Sequence, residues 1–185
     1  MRRLAALVFA SLLGACASSA DNAAAPTPPY AAWIVAADGR AIGQANFTEG
    51  PAGVLIRLEF TQPLAPGWHG LHLHQRGDCR DFAAGFQAAG GHIGTGAGVQ
   101  HGLMNTAGPE AGDLPNLFAP PAGLYGAQIF TPRITLRADA PDGRAPLLDA
   151  DGSALIVHAG PDDQLSQPIG GAGPRIACAA LTQLP

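Results

Sequence analysis

Five of the six histidines in this 185-residue chain are spaced in a way that is typical of metal ligands. The most informative pair is His72 and His74, because side chains two residues apart on a β-strand point to the same face of a sheet. Two adjacent neutral imidazoles suit copper or zinc. The remaining members of the group are His92, His101 and His158. The spacing therefore predicts a site for one metal ion or for two.

The segments that must position these histidines have the pattern of short β-strands. Strands are expected over residues 31–36, 40–47, 54–60, 70–75, 128–136, 154–158 and 175–181. Asp38-Gly39, between the first two, predicts a hairpin turn. No stretch combines a helical period with capping residues, and 25 glycines and 17 prolines favour turns. The pattern predicts an all-β domain, built as an antiparallel sandwich or barrel.

A long segment between Gly77 and Gly126 has little strand character. A loop of this length inside a compact domain is usually functional. It carries four candidate metal ligands, namely His92, His101, Glu110 and Asp113. The long loop and much of the candidate metal site therefore coincide.

The N-terminal residues 1–16 have the composition of a secretory signal. Two arginines precede an apolar run from Leu4 to Leu13, which is too short for a permanent transmembrane helix, and small residues follow. Residues 13–16 also resemble the bacterial lipobox, in which Cys16 would be lipidated; the alternative is ordinary cleavage that discards Cys16. Residues 17–29 are rich in alanine and proline and are expected to form an extended tether. The folded domain is then expected over residues 30–185.

The two other cysteines and the charge narrow the setting further. Cys79 and Cys178 form an even pair, for which a disulfide and two buried free thiols are both open, and export favours the disulfide. The formal net charge is −4, and no run of basic residues occurs. The sequence therefore predicts no nucleic-acid partner and no attraction to anionic lipid headgroups, and an anionic substrate would need a local arginine.

Six blocks of the sequence resemble the copper/zinc superoxide dismutases. They are residues 70–74, 77–79, 89–92, 112–116, 157–163 and 171–178, they occur in the family's order, and the resemblance extends over about residues 30–181. It implies an eight-stranded Greek-key β-barrel or sandwich of immunoglobulin-like architecture with long metal-binding loops. Together with the signal segment and the lipobox-like residues 13–16, this predicts an exported protein, periplasmic or anchored to the outer membrane as a lipoprotein of a Gram-negative bacterium.

The resemblance assigns roles to individual residues. It implies a copper set of His72, His74, His92 and His158, in which His92 bridges to zinc. Cys79 and Cys178 match the family's disulfide, and Asp162 matches an aspartate that links His72 to His101. Arg175 matches the arginine that guides superoxide to copper. His69, the sixth histidine, is expected to support the scaffold rather than bind metal.

The zinc residues depart from the family pattern of three histidines and one aspartate. This chain offers His92, His101, Glu110 and Asp113, so a glutamate replaces one histidine. The spacing from His92 to His101 is one residue longer than usual, and the intervening segment is rich in glycine. Carboxylate oxygen binds zinc, but the donor set becomes more negative and a glycine-rich loop loses more entropy when it is ordered. We therefore expect a weak or empty zinc site as readily as an ordinary one.

The activity implied by the resemblance is copper-dependent dismutation of superoxide to dioxygen and hydrogen peroxide, with Arg175 and His92 as the residues that act on substrate. The alternative is an envelope copper-binding or copper-buffering lipoprotein with the same fold and little turnover. Arg175 and Asp162 favour the enzyme, because storage requires neither anion guidance nor linked histidines. A purely structural role is disfavoured because all four copper positions are kept. A monomer and a homodimer are both open.

Overall fold

The computed structural model describes residues 29–94, 96–139 and 143–183. The expected signal segment, the lipidation residue Cys16 and residues 17–28 of the expected tether lie outside the described residues. Within the described ranges, no helix has the length and apolar character needed to cross a bilayer.

The described residues form strands and two single-turn 3-10 helices, Phe82–Ala84 and Gln87–Ala89. The strands are β1 Tyr30–Ala36, β2 Ala41–Gly50, β3 Gly53–Phe60, β4 Gly67–His69, β5 Leu71–His74, β6 Leu117–Ala119, β7 Tyr125–Thr131, β8 Ile134–Thr135, β9 Ala145–Pro146, β10 Ser153–His158 and β11 Arg175–Leu181.

Seven of these strands form one curled antiparallel sheet in the order β5-β10-β11-β1-β2-β3-β7. The neighbours that are not consecutive in sequence give it Greek-key crossovers. β4 pairs with β6, and these two strands precede the edge strands β5 and β7, so their pairing links the chain near both edges of the sheet. The predicted all-β fold is confirmed. The resemblance implied eight strands, whereas the described residues form eleven, including the two-residue strands β8 and β9.

The strand pattern follows from alternation of apolar and polar residues. In β3, Val54, Ile56 and Leu58 are buried, whereas Arg57 and Glu59 are exposed on the other face. The predicted hairpin between β1 and β2 is present, and Gly39 supplies its positive φ of 83°. The expected strand over residues 128–136 was wrong as a single element: it ends at Thr131 and resumes at Ile134. Pro132 explains the break, because proline has no N–H to donate to the ladder.

The strands that carry the histidines are the most buried. All six residues of β10 and all four of β5 are buried, and the two strands pair so that His72 lies opposite Ile156 and His74 opposite Ala154. The long loop folds back on β5 through isolated bridges between His74 and His92 and between His72 and Asp113. The loop ligands are thereby brought against the strand ligands.

A disulfide fastens the start of this loop to β11. Cys79 and Cys178 are bonded, with Cα atoms 5.8 Å apart and 99 positions apart in sequence. Of the two interpretations left open by the sequence, the disulfide is therefore the one that the structure contains. In the chain-entropy view, a bridge that closes a loop of this length contributes about 4–5 kcal/mol to stability. Phe86, Ala89 and Ile156 pack around it.

Candidate metal centre

Four buried histidines converge beside the antiparallel strands β5 and β10. His72 and His74 come from β5, His158 ends β10, and His92 comes from the long loop. One ligand atom from each lies within 4.8 Å of the others. Nδ1 of His72 and Nε2 of His74, His92 and His158 are buried and have no hydrogen-bond partner among the described residues. Four converging imidazole nitrogens without partners are what a copper ion requires, so this set fits copper.

The opposite ring nitrogens of three of these histidines are held by acceptors. Nδ1 of His74 donates to the Gly90 carbonyl oxygen and Nδ1 of His158 to the Gly173 carbonyl oxygen, both at 2.8 Å. Nε2 of His72 lies 2.8 Å from Oδ2 of Asp162. Because a carbonyl accepts and cannot donate, the protons of His74 and His158 sit on Nδ1 and their Nε2 lone pairs face the cluster.

Burial keeps three of the four rings neutral, as metal ligands must be. Burial lowers the pKa of His74 to about 2 and that of His158 to about 4, and it also lowers the pKa of His72. His92 differs: burial alone would lower its pKa, but hydrogen bonds to Asp113 and Glu110 raise it overall. His92 is therefore the member of this group that most readily carries a proton.

A second group shares His92 and is built mainly from the long loop. It consists of His92, His101, Glu110 and Asp113, all buried, and one ligand atom from each lies within 4.8 Å of the others. Nδ1 of His92 lies 2.7 Å from Oε2 of Glu110 and 3.4 Å from Oδ1 of Asp113, and Nδ1 of His101 lies 2.7 Å from the same Oδ1. Two imidazoles and two carboxylates fit zinc, which takes both ligand types. Glu110 therefore reaches the position that the sequence left in question.

Asp113 organises this second group. Its Oδ2 accepts hydrogen bonds from the backbone N–H of Gly102 at 2.8 Å and of Glu110 at 2.9 Å. Asp113 therefore fixes the backbone of the residue after His101 and the backbone of Glu110. Burial would raise its pKa, but the hydrogen bonds from His92, Gly102 and His101 hold the pKa of this carboxyl well below its usual range. Asp113 is therefore ionised at any working pH.

Asp162 connects the two groups as the resemblance implies. Its Oδ2 lies 2.8 Å from Nε2 of His72, and its Oδ1 lies 3.1 Å from Nε2 of His101. Asn116 holds the Asp162 backbone from both sides, donating to its carbonyl at 2.8 Å and accepting from its N–H at 2.9 Å. Burial would raise the pKa of Asp162, but the hydrogen bond from His72 and the others lower it overall. One buried carboxylate thus orients a ring in each group.

Arg175 begins β11 beside the first group. Its Nη1 donates to the Phe86 carbonyl at 2.6 Å, and its Nη2 donates to the Gly90 carbonyl at 2.7 Å. The same Gly90 oxygen accepts from His74, so one carbonyl separates the guanidinium from a copper-set ring. Phe86 adopts a left-handed conformation with φ 56°, and its fully buried ring anchors the carbonyl that Arg175 contacts.

His69 lies outside both groups. Its Nδ1 is 2.7 Å from the His158 carbonyl oxygen, and its Nε2 is 2.8 Å from the Ala65 carbonyl oxygen. Both ring nitrogens are occupied by backbone, which agrees with the scaffold role expected of this residue.

Sequence reasoning missed four polar residues that hold the second group. Gln164, Gln167 and Asn116 bind backbone around His101 and Asp162, and Arg133 donates from Nη2 to the Asp113 carbonyl at 2.5 Å. Asn116 lies in one of the six matching blocks, so its position carried a signal. The glutamines and Arg133 follow no motif, and only the fold brings them to the site.

Comparison with known proteins gives a consistent result. The family model described as copper/zinc superoxide dismutase (SODC) matches residues 41–181. A Cu-Zn superoxide dismutase of Caulobacter vibrioides is 47% identical over 148 residues, covering 80% of this chain and 82% of that protein. A Cu-Zn superoxide dismutase of Aquifex aeolicus is 36% identical over 182 residues, covering 98% and 99%. The crystal structure of a double mutant of a SOD-like protein from Bacillus subtilis superposes with a TM-score of 0.76 at 32% identity, covering 85% of this chain and all of that one.

Proposed function

Because the chain belongs to the copper/zinc superoxide dismutase family, we propose that it is a copper-dependent dismutase of the cell envelope that converts superoxide to dioxygen and hydrogen peroxide. The observation that carries this proposal is the set of four buried, unpartnered histidine nitrogens beside a half-buried arginine. His72, His74, His92 and His158 would hold copper. His92, His101, Glu110 and Asp113 would hold zinc.

Copper, when bound, supplies the one-electron chemistry by which one superoxide is oxidised to dioxygen and a second is reduced to peroxide. The protein must attract an anion, orient it and deliver protons. Arg175 serves the first two needs: the chain as a whole is acidic, with a formal net charge of −4, so a superoxide anion requires a local positive charge. A guanidinium offers several donors to a small anion, and two of its nitrogens are already fixed by the Phe86 and Gly90 carbonyls.

Peroxide formation consumes protons, and His92 is the ring placed to hold one. Its Nε2 faces the other copper-set histidines, while Nδ1 rests against Glu110. The carboxylates raise its pKa, whereas those of His74 and His158 are lowered too far for protonation near neutral pH. A proton held at Nε2 of His92 would lie at the site where the reduced oxygen species forms.

The test is metal analysis of the purified mature protein together with its superoxide turnover. One copper per chain with fast turnover is the expected result, and zinc content is measured in the same sample. Copper binding without turnover would overturn the enzyme and leave the alternative, a copper-binding lipoprotein with the dismutase fold. The contacts of Asp162 with His72 and of Arg175 with the Gly90 carbonyl beside His74 argue against that alternative, because storage needs neither residue.

The location and the anchor are part of the same proposal. We infer export, lipidation at Cys16 and a tether over residues 17–29, which in an extended conformation would span roughly 40 Å between a membrane surface and β1. Mass spectrometry of the membrane fraction should find an acylated N-terminal Cys16, and Cys16→Ser should release the protein from the membrane. An unmodified N-terminus in a soluble periplasmic fraction would overturn the anchor while leaving the enzyme intact.

A homodimer is the remaining partner proposal. Trp68 and Phe118 pair across β4 and β6 with ring centroids 5.0 Å apart, and both side chains are about half exposed. An exposed aromatic pair on a sheet surface is typical of a protein contact. Sedimentation equilibrium should show a dimer that Trp68→Ser weakens, and a parent protein that sediments as a monomer would remove the proposal.

A further inference from the structure

The segment around His101 is held far more firmly than the glycine-rich sequence of residues 94–98, which precedes it, would predict. Four consecutive backbone N–H groups, those of His101, Gly102, Leu103 and Met104, donate to acceptors outside the segment. Asp113 receives the second of these hydrogen bonds. The other three go to two glutamines of the segment between β10 and β11, Gln164 and Gln167.

Gln167 binds the backbone of His101 on both sides. Its Oε1 accepts from the His101 N–H at 3.1 Å, and its Nε2 donates to the His101 carbonyl at 2.8 Å. One amide side chain therefore satisfies both polar groups of the residue, as a neighbouring strand would. The backbone of His101 is fixed through Gln167, while its ring is fixed by Asp113 and Asp162.

Gln164 holds the next two residues. Its Oε1 accepts from the Leu103 N–H at 3.2 Å, and its carbonyl oxygen accepts from the Met104 N–H at 3.2 Å. The backbones of Gly102 and Gln164 lie so close together that a Cβ on Gly102 would be 2.2 Å from the Gln164 carbonyl oxygen. Only glycine therefore fits at position 102. Gln164 itself has a positive φ of 64°, a conformation that costs energy in a residue other than glycine.

We propose that Gln164 and Gln167, which we call the glutamine clasp, are positioning residues that hold His101 in its metal-binding place before any metal arrives. This inference rests on the proposed zinc role of His101. The clasp belongs to the same inter-strand segment as Asp162, so that segment fixes both the backbone and the ring of His101. The entropy of ordering the glycine-rich loop is thus lost on folding rather than on metal binding, which raises the affinity for metal.

The first test is amide hydrogen exchange of the metal-free protein, which reads the clasp without zinc. The His101–Met104 amides should be protected in the parent and should exchange about tenfold faster in Gln167→Met, which keeps the side-chain length and removes the two hydrogen bonds to His101 as well as the one to the Leu165 carbonyl. Gln167→Glu keeps the acceptor for the His101 N–H and should retain part of the protection. Gln183→Met is the matched control, because Gln183 is an exposed glutamine whose amide donates to the Leu148 carbonyl and, among the described residues, makes no hydrogen bond to the His101 segment.

The second test is zinc affinity by competition with a chromophoric chelator, with copper affinity measured in parallel. Gln167→Met should weaken zinc about tenfold, the double variant with Gln164→Met up to a hundredfold, and neither should change copper affinity, as expected for residues that orient a ligand. Cobalt in place of zinc should show an altered visible spectrum in the double variant.

Three results would overturn parts of this proposal in distinguishable ways. Unprotected amides at His101–Met104 in the metal-free parent would remove the clasp itself. Equal losses of zinc and copper affinity would mean a general loosening of the fold rather than positioning of His101. Protected amides in a parent that binds no zinc would remove both the clasp's role in metal binding and the proposed zinc site.

Discussion

The proposed metal centre has two halves that share His92 but present their donor atoms differently. The proposed copper half is His72, His74, His92 and His158, and the proposed zinc half is His92, His101, Glu110 and Asp113. In the copper half, four ring nitrogens point at one another with no partner among the described residues, and each opposite nitrogen is already bonded. In the zinc half, the donors are bonded to one another: His92 to Glu110 and His101 to Asp113. One half therefore offers lone pairs, and the other offers hydrogen bonds that a metal must replace.

The difference follows from the residue types. Two imidazole nitrogens that both carry lone pairs cannot form a hydrogen bond with each other, because neither has a proton to donate. The four lone pairs therefore remain available to a cation. A carboxylate beside an imidazole takes its proton as a hydrogen bond, and the pair is stable without metal. Replacing the family's histidine by Glu110 makes this self-pairing stronger. Zinc binding in this chain must therefore release protons, and its affinity should depend on pH more steeply than that of copper.

The largest effect should come from separating the halves by mutation. His74→Ala removes a proposed copper ligand and should abolish copper binding while zinc is retained. Because the redox metal is then lost, turnover should fall by at least on the order of 10³-fold. His101→Ala should remove zinc and leave copper, together with most of the turnover at the acidic end of the pH range, where His92 still carries a proton.

Metal content of each variant by mass spectrometry, with turnover on the same samples, measures this separation. If His101→Ala also empties the copper half, the two halves are one cooperative unit and the contrast drawn between them is wrong.

The next effect concerns stability of the metal-free protein in acid. The folded-state pKa of His158 is lowered by burial to about 4 and that of His74 to about 2, so the unfolded chain binds protons first as the pH falls below about 6.5. Stability should therefore decline between about pH 6.5 and 4, by roughly 3 kcal/mol from His158 alone. His92, with its raised pKa, acts in the opposite direction and gains stability from its partners as the pH falls.

Urea unfolding of metal-free protein over that pH range tests the prediction. Copper should raise stability over the whole range but leave the decline at least as steep, because the bound ligands stay unprotonated while the unfolded chain still takes up protons. Stability that is constant down to about pH 4 without metal would contradict the neutral, buried state assigned to the copper half.

A smaller effect should follow from the cation beside the copper half. Arg175→Met should lower superoxide turnover by about tenfold or somewhat more and reduce its dependence on ionic strength, while copper content stays unchanged. Arg57→Met is the control, since Arg57 is an exposed arginine of β3 that forms an ion pair with Glu59. Equal losses in both variants would assign the effect to net charge rather than to position.

The sequence predicted the copper half more completely than the zinc half. Strands were expected over residues 70–75 and 175–181, and β5 and β11 are present there. The two-residue period of a strand placed His72 and His74 on one face, and the resemblance supplied the roles of His92, His158 and Asp162. The disulfide between Cys79 and Cys178 was likewise expected and is present.

What the sequence could not supply lies in the loops. The glycine-rich sequence before His101 predicted a segment that loses much conformational entropy when it is ordered. Gln164 and Gln167, which lie more than 60 positions away along the chain, form hydrogen bonds with the backbone of that segment. No local pattern encodes such a contact, because it depends on how two irregular segments meet. The same holds for Arg133, whose guanidinium reaches the Asp113 carbonyl from the turn between β7 and β8.

The smallest expected change, and the one that bears most directly on the shared residue, is a shift in the pH profile of turnover when Glu110 is replaced. With zinc on Nδ1 of His92, the profile should be flat from about pH 6 to 9. Without zinc, His92 titrates, and turnover should fall as the pH rises, approaching about tenfold per pH unit above its pKa, since the ring must carry a proton. Because Asp113 and Glu110 raise that pKa against the effect of burial, Glu110→Gln should move the decline to lower pH in zinc-free protein.

Glu59→Gln, on the exposed face of β3, is the control and should leave the profile unchanged. A flat profile in zinc-free protein would show that His92 does not supply the proton, and a Glu110→Gln profile identical to that of the parent would show that the hydrogen bond to Glu110 does not set the basicity of the ring.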